Sequence, residues 1–476
     1  MTKAMNKLLT ITGNYTDLYQ ISMAQVYFHQ NKHQQPAVFD YFFRKHPYQG
    51  GYTVFAGLQD LLQSLTTLRF SKEDLSFLAE QGFKADFLAY LRDFRFNGTI
   101  QSCLEGELIF PGCPVVTVSA DLVAAQLIET LLLNTLNFQS LIATKAARIR
   151  SVAATATLLD FGLRRAQGAG GYAASRAAVI GGFDGTSHVK AAQDYNLMAT
   201  GTMAHSFVQS YDDELTAFRD FAADQPGNTV LLVDTYNTLK SGVPNAITVG
   251  LEMAARGQQL KAIRLDSGDL AYLAKQSRSM LDEAGLNQVK IAVSNQLDEY
   301  VIKSLQEQGA PIDVYGVGTS LVIGRPDGAL DGVYKLAEYA GIARIKLSEN
   351  TQKVTLPGHK QVFRIYRENG DFMGADVVTL IDETKPKEMY HPFEPFKTLD
   401  ITNFKAKPLL QTVMQNGQIT SPQPAIQEIA TYARQRLQLL PVDYRRFDNP
   451  HNYKVGLSAR LKQQRDELIN SHRQTL

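Results

Sequence analysis

The apolar positions change rhythm three times along the chain. Up to about residue 120 they predict mixed helix and strand. Ala37–Arg44 and Glu107–Val118 read as strands, the second interrupted by the turn Pro111-Gly112. Ser119-Ala-Asp121 then offers oxygen acceptors for the free amides of a helix start. The run that follows, to about Ala153, contains neither Gly nor Pro. It predicts two helices or one bent one, apolar enough to be buried or to form a subunit interface. From about 155 to 325 short β-rich runs alternate with amphipathic stretches. The runs are Thr157–Phe161, Asn228–Asp234, Lys261–Asp266, Val289–Ser294 and Ile312–Tyr315. Helices are expected at 242–257, 270–285 and 297–309, each closing near a glycine (Gly257, Gly285, Gly309), as helix C-termini often do. Strands alternating with helices imply parallel βαβ units. After about 330 the rhythm shortens. Gly332–Glu338, Ala343–Leu347, Lys353–Leu356 and Gln361–Tyr366 look like antiparallel strands, with the turn Pro357-Gly358 joining two of them. Helices near 424–437 and 456–471 close the chain.

Polar residues collect at the C-terminal ends of the middle strands: Asp160, Asp234, Arg264 with Asp266, Ser294 with Asn295, and Gly316 to Ser320. Both βα barrels and open α/β sheets carry their chemistry at that end. The pattern therefore locates an active site without choosing between the two. Five or six strands are clear, so a complete eight-stranded barrel is an inference. The expected organisation is an N-terminal α+β segment over 1–120, a helical lead-in and βα barrel with the active site over 121–330, and a C-terminal segment over 331–476.

Length and composition narrow the class. A chain of 476 residues suggests two or three domains. A net charge of +1 gives no bulk attraction to nucleic acid or to an anionic membrane, so any anion must be bound by local arrangement. Cys103 and Cys113 make no disulfide framework and fit a reducing compartment. The first fifteen residues have no leader-like apolar core. The most apolar stretch, Leu122–Ala147, is interrupted by Gln126, Glu129, Asn134, Asn137 and Gln139, which a bilayer would penalise. A soluble, cytoplasmic protein is expected. There is no Walker A motif, no H-E-x-x-H and no serine-hydrolase elbow, so P-loop, zinc-protease and esterase chemistry drop out.

Five segments carry candidate chemistry. Tyr315-Gly-Val-Gly-Thr-Ser320 follows a strand; its glycines and hydroxyls suit a phosphate loop, although a tight strand-to-helix turn would use the same residues. Arg264-Leu-Asp-Ser-Gly-Asp269 packs a cation, two carboxylates and the Ser267 hydroxyl at a strand end. Arg264 and Asp266, two apart, point to the same side, which suits a salt bridge, ribose hydroxyls, or Mg²⁺ carried by a pyrophosphate. Phe161-Gly-Leu-Arg-Arg165 presents an arginine pair suited to carboxylate or phosphate. Gly181-Gly-Phe-Asp-Gly-Thr-Ser187 is a polar loop. Gly201-Thr-Met-Ala-His205-Ser206 sets Thr202 and a histidine among small residues; the histidine suits a base or a phosphoryl acceptor.

Taken together with YTDLYQISMA (15–24), FFRKHPYQGGYTVFAGL (42–58), LLVDTYNTLKSGVPNA (231–246) and SNQLDE (294–299), these segments closely resemble the nicotinate phosphoribosyltransferase family of type II phosphoribosyltransferases. Nicotinamide and quinolinate phosphoribosyltransferases match the motifs less well. The resemblance implies a barrel carrying the active site, with N- and C-terminal segments forming a second α+β domain. It implies a homodimer whose sites form between subunits, nicotinate and phosphoribosyl pyrophosphate as substrates, and ATP with Mg²⁺ as co-substrate, in NAD biosynthesis. Tyr19 of one subunit and Phe161 of the other would sandwich the pyridine ring, with Arg164 and Arg264 close to it. Asp266 would hold ribose or orient the base. Gly316, Gly318 and Thr319 would hold the 5′-phosphate. His205 matches the histidine that accepts a phosphoryl group from ATP, and Asp234 the carboxylate that orients it. Thr202, Ser267 and Asp269 complete the expected substrate contacts. Ser187 stands where nicotinamide-using relatives carry an aspartate. A carboxylate there would repel nicotinate and a hydroxyl need not; the same loop carries Asp184 three residues earlier. Arg44, Lys45 and His46 suggest a basic loop over substrate phosphates. The alternatives are a nicotinamide phosphoribosyltransferase, a non-catalytic relative acting as a binding protein, and a generic phosphosugar barrel enzyme.

Overall fold

The computed structural model describes residues 10–349, 353–394 and 396–474. The N-terminal stretch read above for a leader lies largely outside them. The chain forms two compact units, one from Lys145–Gly328 and one from Met1–Thr144 with Ala329–Leu476. The division falls inside the helix Glu129–Val152, so the helical lead-in is shared between them.

The unit of residues 145–328 is built on a parallel sheet. Its strands are β1 (Thr157–Asp160), β2 (Gly185–Thr186), β3 (Val230–Leu232), β4 (Ala262–Leu265), β5 (Lys290–Ser294) and β6 (Val314–Val317). They pair in the order β2-β1-β6-β5-β4-β3, and every pairing is parallel. A parallel bridge from Thr186 to Ala199 adds a further stave beside β2. The staves thus follow chain order around a ring that the β1–β6 pair closes, with one interruption between Ala199 and Val230. Among the described residues the expected eight-stranded barrel is six strands and a bridge. β2 escapes sequence reading because it is two residues long. The three expected helices form as Val243–Ala255, Leu270–Glu283 and Glu299–Glu307. Gly257, Gly285 and Gly309 each take a positive φ just past a helix end, where a residue with a side chain would be strained.

The other unit interleaves the two ends of the chain, as the resemblance implied. One antiparallel sheet sets Gly332–Tyr339 beside Pro36–Phe43, then Val116–Asp121, Thr99–Ser102 and Gln411–Gln415. A second sheet is centred on Lys360–Tyr366 and Phe372–Leu380. Its apolar core draws on both ends of the chain, including Phe39, Phe55, Leu61, Val118, Leu132 and Val378. The long apolar run divides into the helices Leu122–Leu127 and Glu129–Val152; Asp121 precedes the first without making a side-chain cap. Lys353–Leu356 forms no strand. No described helix is long and apolar enough to cross a membrane.

Candidate active site

The first wall of the site grows from the end of β1. Asp160 is buried there. Its Oδ1 accepts from the Gly162 N–H at 2.8 Å. Its Oδ2 accepts from Ser175 Oγ at 2.7 Å and from Thr186 Oγ1 at 2.8 Å. Phe161 follows, its N–H donating to the Val317 carbonyl at 2.8 Å. Its ring lies against Gly316, where an added Cβ would come within 2.5 Å of it. β6 runs to Val317, two residues beyond the expected strand end, so Gly316 lies inside the strand and Gly318 just past it. Gly316 therefore makes room for the Phe161 ring, a constraint that a phosphate-loop reading alone does not reveal. Gly318 precedes the short helix Thr319–Val322.

Ser187 and Asp184 separate along β1. The Ser187 N–H donates to the Asp160 carbonyl at 2.9 Å, at the strand's C-terminal end. Asp184 accepts from the Leu158 N–H at 2.8 Å and pairs with Arg150 at 2.6 Å. The aspartate is thus engaged two residues back along the strand, away from the C-terminal mouth, and Ser187 is the loop residue at that mouth.

The second wall joins β3, β4, β5 and the segment before β3. Arg264 Nη1 donates to Thr202 Oγ1 at 2.5 Å and to the Met203 carbonyl at 3.2 Å. Its Nη2 lies 3.8 Å from Asp266 Oδ1, and its Nε is buried without a partner. Burial lowers the Arg264 pKa, opposed by Asp266 and Asp234 and reinforced by the nearby Arg164 charge. Asp266 also accepts a very short hydrogen bond from Ser294 Oγ. Asp234 Oδ2 accepts from the Asp266 N–H at 2.9 Å and from Ser267 Oγ at 2.6 Å. Its Oδ1 is buried and makes no hydrogen bond.

His205 sits between these acids. Its Nε2 lies 3.9 Å from Asp234 Oδ1 and 3.8 Å from Asp266 Oδ2, and its Nδ1 is 3.1 Å from Thr235 Oγ1. The imidazole is 39% exposed, so a ligand can reach it. Two carboxylates facing Nε2 favour the tautomer with the proton there. Nδ1 then stays unprotonated and accepts from the Thr235 hydroxyl through its lone pair.

Other expected residues are placed less tightly. Asp269 accepts from the Tyr272 N–H at 3.1 Å and caps the helix Leu270–Glu283. Arg164 is exposed on a single helical turn, Leu163–Arg165. Tyr19 is 51% exposed on the helix Leu18–His29 of the other unit. That unit has its own cavity of about 1390 Å³, lined in part by Arg44, Lys45, His46, Lys335, Lys353 and Lys360.

Sequence reading missed Thr235, Ser175 and Thr186, whose hydroxyls meet His205 and Asp160 only through the fold. It also missed His188. That ring is buried, its Nδ1 accepts from the Ala191 N–H at 3.4 Å, and its Nε2 has no partner. No group of three His, Cys, Asp or Glu side chains among the described residues could hold a metal alone. The unpartnered Asp234 oxygen and Asp266 do fit Mg²⁺ delivered with a diphosphate, an ion usually held by one or two carboxylates plus phosphate oxygens.

A ring of parallel staves with acids, arginine and an accessible histidine at the C-terminal ends has the form of a βα-barrel enzyme. Comparison with known proteins narrows this. Three family descriptions match in order: the nicotinate phosphoribosyltransferase N-terminal domain over residues 15–137, the family itself over 156–338, and its C-terminal domain over 359–465. The nicotinate phosphoribosyltransferase of Bacillus subtilis is 45% identical, covering 93% of this chain and 92% of that protein. The Dictyostelium discoideum enzyme of that name is 37% identical, covering 95% and 87%. The crystal structure of human nicotinic acid phosphoribosyltransferase matches with a TM-score of 0.85 at 32% identity, over 95% of this chain and 99% of that one. A nicotinate-nucleotide pyrophosphorylase from Pyrococcus furiosus shares the fold at 24% identity, with a TM-score of 0.71 over 90% and 95%. The chain belongs to the nicotinate phosphoribosyltransferase family.

Proposed function

We propose that this protein joins nicotinate to phosphoribosyl pyrophosphate, forming nicotinate mononucleotide and pyrophosphate, and that ATP hydrolysis through a phosphohistidine drives the reaction. The observation that carries this reading is the cluster at the C-terminal ends of the barrel strands, where Arg264, Asp266, Asp234 and His205 lie in one network. The pyridine nitrogen displaces pyrophosphate from ribose C1 through an oxocarbenium-like transition state, so the protein needs to position groups and stabilise charge rather than supply covalent chemistry. Phe161 forms one face for the ring, and Tyr19 of the partner subunit the other. Arg264, with Arg164 near it, suits the nicotinate carboxylate. Asp266 holds the ribose. The loop Gly316, Gly318 and Thr319 takes the 5′-phosphate, and Thr202, Ser267 and Asp269 border the substrates. Mg²⁺, held by Asp234, Asp266 and the diphosphate, would spread the leaving group's negative charge.

His205 takes the phosphoryl group of ATP, with Asp234 and Asp266 holding the proton on its other nitrogen. Arg44 and Lys45 line the cavity of the chain-end unit and suit substrate phosphates, whereas burial pushes the His46 imidazole down to about 3 and keeps it uncharged. The protein works as a homodimer in the cytoplasm, in NAD biosynthesis. The engagement of Asp184 by Arg150 and Leu158 favours the acid over nicotinamide. The test is product formation from nicotinate or nicotinamide with phosphoribosyl pyrophosphate and Mg²⁺, with and without ATP. Nicotinate mononucleotide formed faster with ATP, and ADP released in step, is the expected result. Preference for the amide overturns the substrate assignment, and lack of any ATP effect overturns the phosphohistidine.

A further inference from the structure

Asp160 makes no hydrogen bond to any of the residues expected to touch the ribose, the phosphates or ATP. Its carboxylate is nevertheless the anchor for both parts of the wall around the pyridine position. Its Oδ1 holds Gly162, the residue after Phe161. Its Oδ2 holds Thr186, the residue before Ser187, and Ser175 on the helix Gly170–Ile180. The two hydroxyl oxygens also lie 3.1 Å apart, side by side on the carboxylate oxygen to which both donate. Thr186 Oγ1 in turn accepts from the His188 N–H at 3.0 Å. The main chain of Asp160 adds a fourth tie, its carbonyl accepting from Ser187 N–H. The backbone on either side is constrained as well: a Cβ on Gly162 would come within 2.6 Å of Val322. One buried carboxylate therefore sets the separation between the aromatic face at Phe161 and the hydroxyl at Ser187.

We propose that Asp160 is a positioning residue for substrate choice: it fixes Ser187 relative to Phe161 and thereby sets discrimination between the pyridine carboxylate and the pyridine amide. This rests on the proposed reading of the site as a nicotinate pocket. The physical reason is geometric. Selection between a carboxylate and a carboxamide depends on which donor or acceptor lies within hydrogen-bond distance of the substituent, and displacements of about 1 Å cost on the order of 100-fold in rate. Asp160 makes no hydrogen bond to the groups proposed to hold the sugar and phosphates, so a shift of Ser187 leaves those contacts in place. A change at Asp160 should therefore separate the kinetic constants of the two substrates, whereas a merely structural role would lower both or lower stability alone.

The experiment measures KM for nicotinate, KM for phosphoribosyl pyrophosphate, and the nicotinate-to-nicotinamide ratio of kcat/KM. It compares wild type, Asp160→Asn, Thr186→Val and Ser175→Ala, with folding checked by circular dichroism and thermal unfolding. Asp160→Asn keeps shape and the Gly162 bond but changes the two hydroxyl contacts. Thr186→Val and Ser175→Ala each remove one hydroxyl and serve if Asp160 variants do not fold. The expected result is a rise of about 10-fold or more in KM for nicotinate in Asp160→Asn and Thr186→Val. The acid-to-amide ratio should fall by a similar factor, KM for phosphoribosyl pyrophosphate should stay within twofold, and Ser175→Ala should be milder. An unchanged ratio in folded variants, or equal rises in both KM values, overturns the proposal. Failure of wild type to use nicotinate at all overturns the reading beneath it instead.

Discussion

Two buried assemblies of charge in this molecule are built on opposite terms. In the unit formed by the chain ends, Arg364 is completely buried and each of its three guanidinium nitrogens donates a hydrogen bond. It donates to Asp376 through Nε and Nη2, both at 2.9 Å, to Glu107 at 2.6 Å, and to the Leu108 carbonyl at 2.7 Å. Glu107 also accepts from Arg436 at 2.8 Å and Tyr432 at 2.6 Å, and Asp376 from Tyr453 at 2.8 Å. At the mouth of the barrel, by contrast, Asp234 Oδ1, Arg264 Nε and His188 Nε2 are buried with no hydrogen-bond partner among the described residues, His205 Nε2 standing 3.9 Å from the first. Leaving such atoms unmade costs about 1–3 kcal/mol each. The engaged network holds the fold, whereas the open atoms at the mouth are free to meet a ligand; buried atoms without a hydrogen-bond partner also occur away from the mouth, as at Ser277 Oγ and Gln464 Oε1.

The largest effect expected from breaking this contrast is at Arg364. Arg364→Met strands two buried carboxylates and should destabilise the protein by roughly 3–5 kcal/mol, measured by urea unfolding at pH 7. The same network has a pH signature. Although burial opposes its charge, Arg364 and Arg436 hold the Glu107 carboxyl below its ordinary 4.5. The unfolded chain then binds the proton more readily, so the contribution is complete above that value and lost as pH falls through and below it. Glu107→Gln should flatten this acid limb; an unchanged limb would assign it to other carboxylates.

At the mouth the opposite pattern is expected. Asp266→Asn and Asp234→Asn should each lower kcat by about 100-fold or more, as removing a preorganised charge does, with a smaller loss of thermal stability than Arg364→Met. Asparagine keeps one oxygen that can accept a hydrogen bond, and the Arg264 charge beside it keeps the other acid. If both variants lost stability on the scale of Arg364→Met, saturation would cease to distinguish the two assemblies. A smaller effect is expected at Thr235. Thr235→Val removes one hydrogen bond to His205, worth about 1 kcal/mol, and should cut ATP-dependent stimulation roughly fivefold while sparing the ATP-independent rate. Equal losses in both rates would make Thr235 structural.

How much of this was legible in the sequence follows from the range of each interaction. The parallel strands, their helices and the glycine stops are local, and they appear within two residues of where periodicity placed them. The acids at the strand ends were legible for the same reason. β2 was not, because two residues carry no period. The hydroxyls of Ser175, Thr186 and Thr235 carry no signal either; serine and threonine are common, and these acquire partners only when distant segments meet. The C-terminal strands Phe372–Leu380 and Lys454–Leu457 pair in parallel across about 80 residues, a join that no local pattern announces. Asp184 and Ser187 are three residues apart in sequence, and only the register against β1 separates their surroundings.

Glu214 gives the subtlest test, because it is an unsaturated carboxylate in the barrel unit that the proposed chemistry does not use. It begins the helix Glu214–Asp224, its Oε2 accepts from Asn245 Nδ2 at 2.9 Å, and its Oε1 has no partner. Burial raises its pKa, and the Asn245 bond together with the neighbouring Ser241 hydroxyl only partly offsets that. Charge on Glu214 is therefore less favourable here than in water, even at the start of a helix. The native state then holds the proton more tightly than the unfolded chain, so stability falls as pH rises from the ordinary carboxylate value upward. Glu214→Gln keeps the acceptor for Asn245, offers an amide to Ser241 and removes the charge. It should raise stability at pH 8 by about 1 kcal/mol, have little effect at pH 4, and leave kcat and both KM values unchanged. A loss of activity would place Glu214 with the unsaturated groups of the mouth, and would mean that spare acceptors in this barrel mark function well beyond the strand ends.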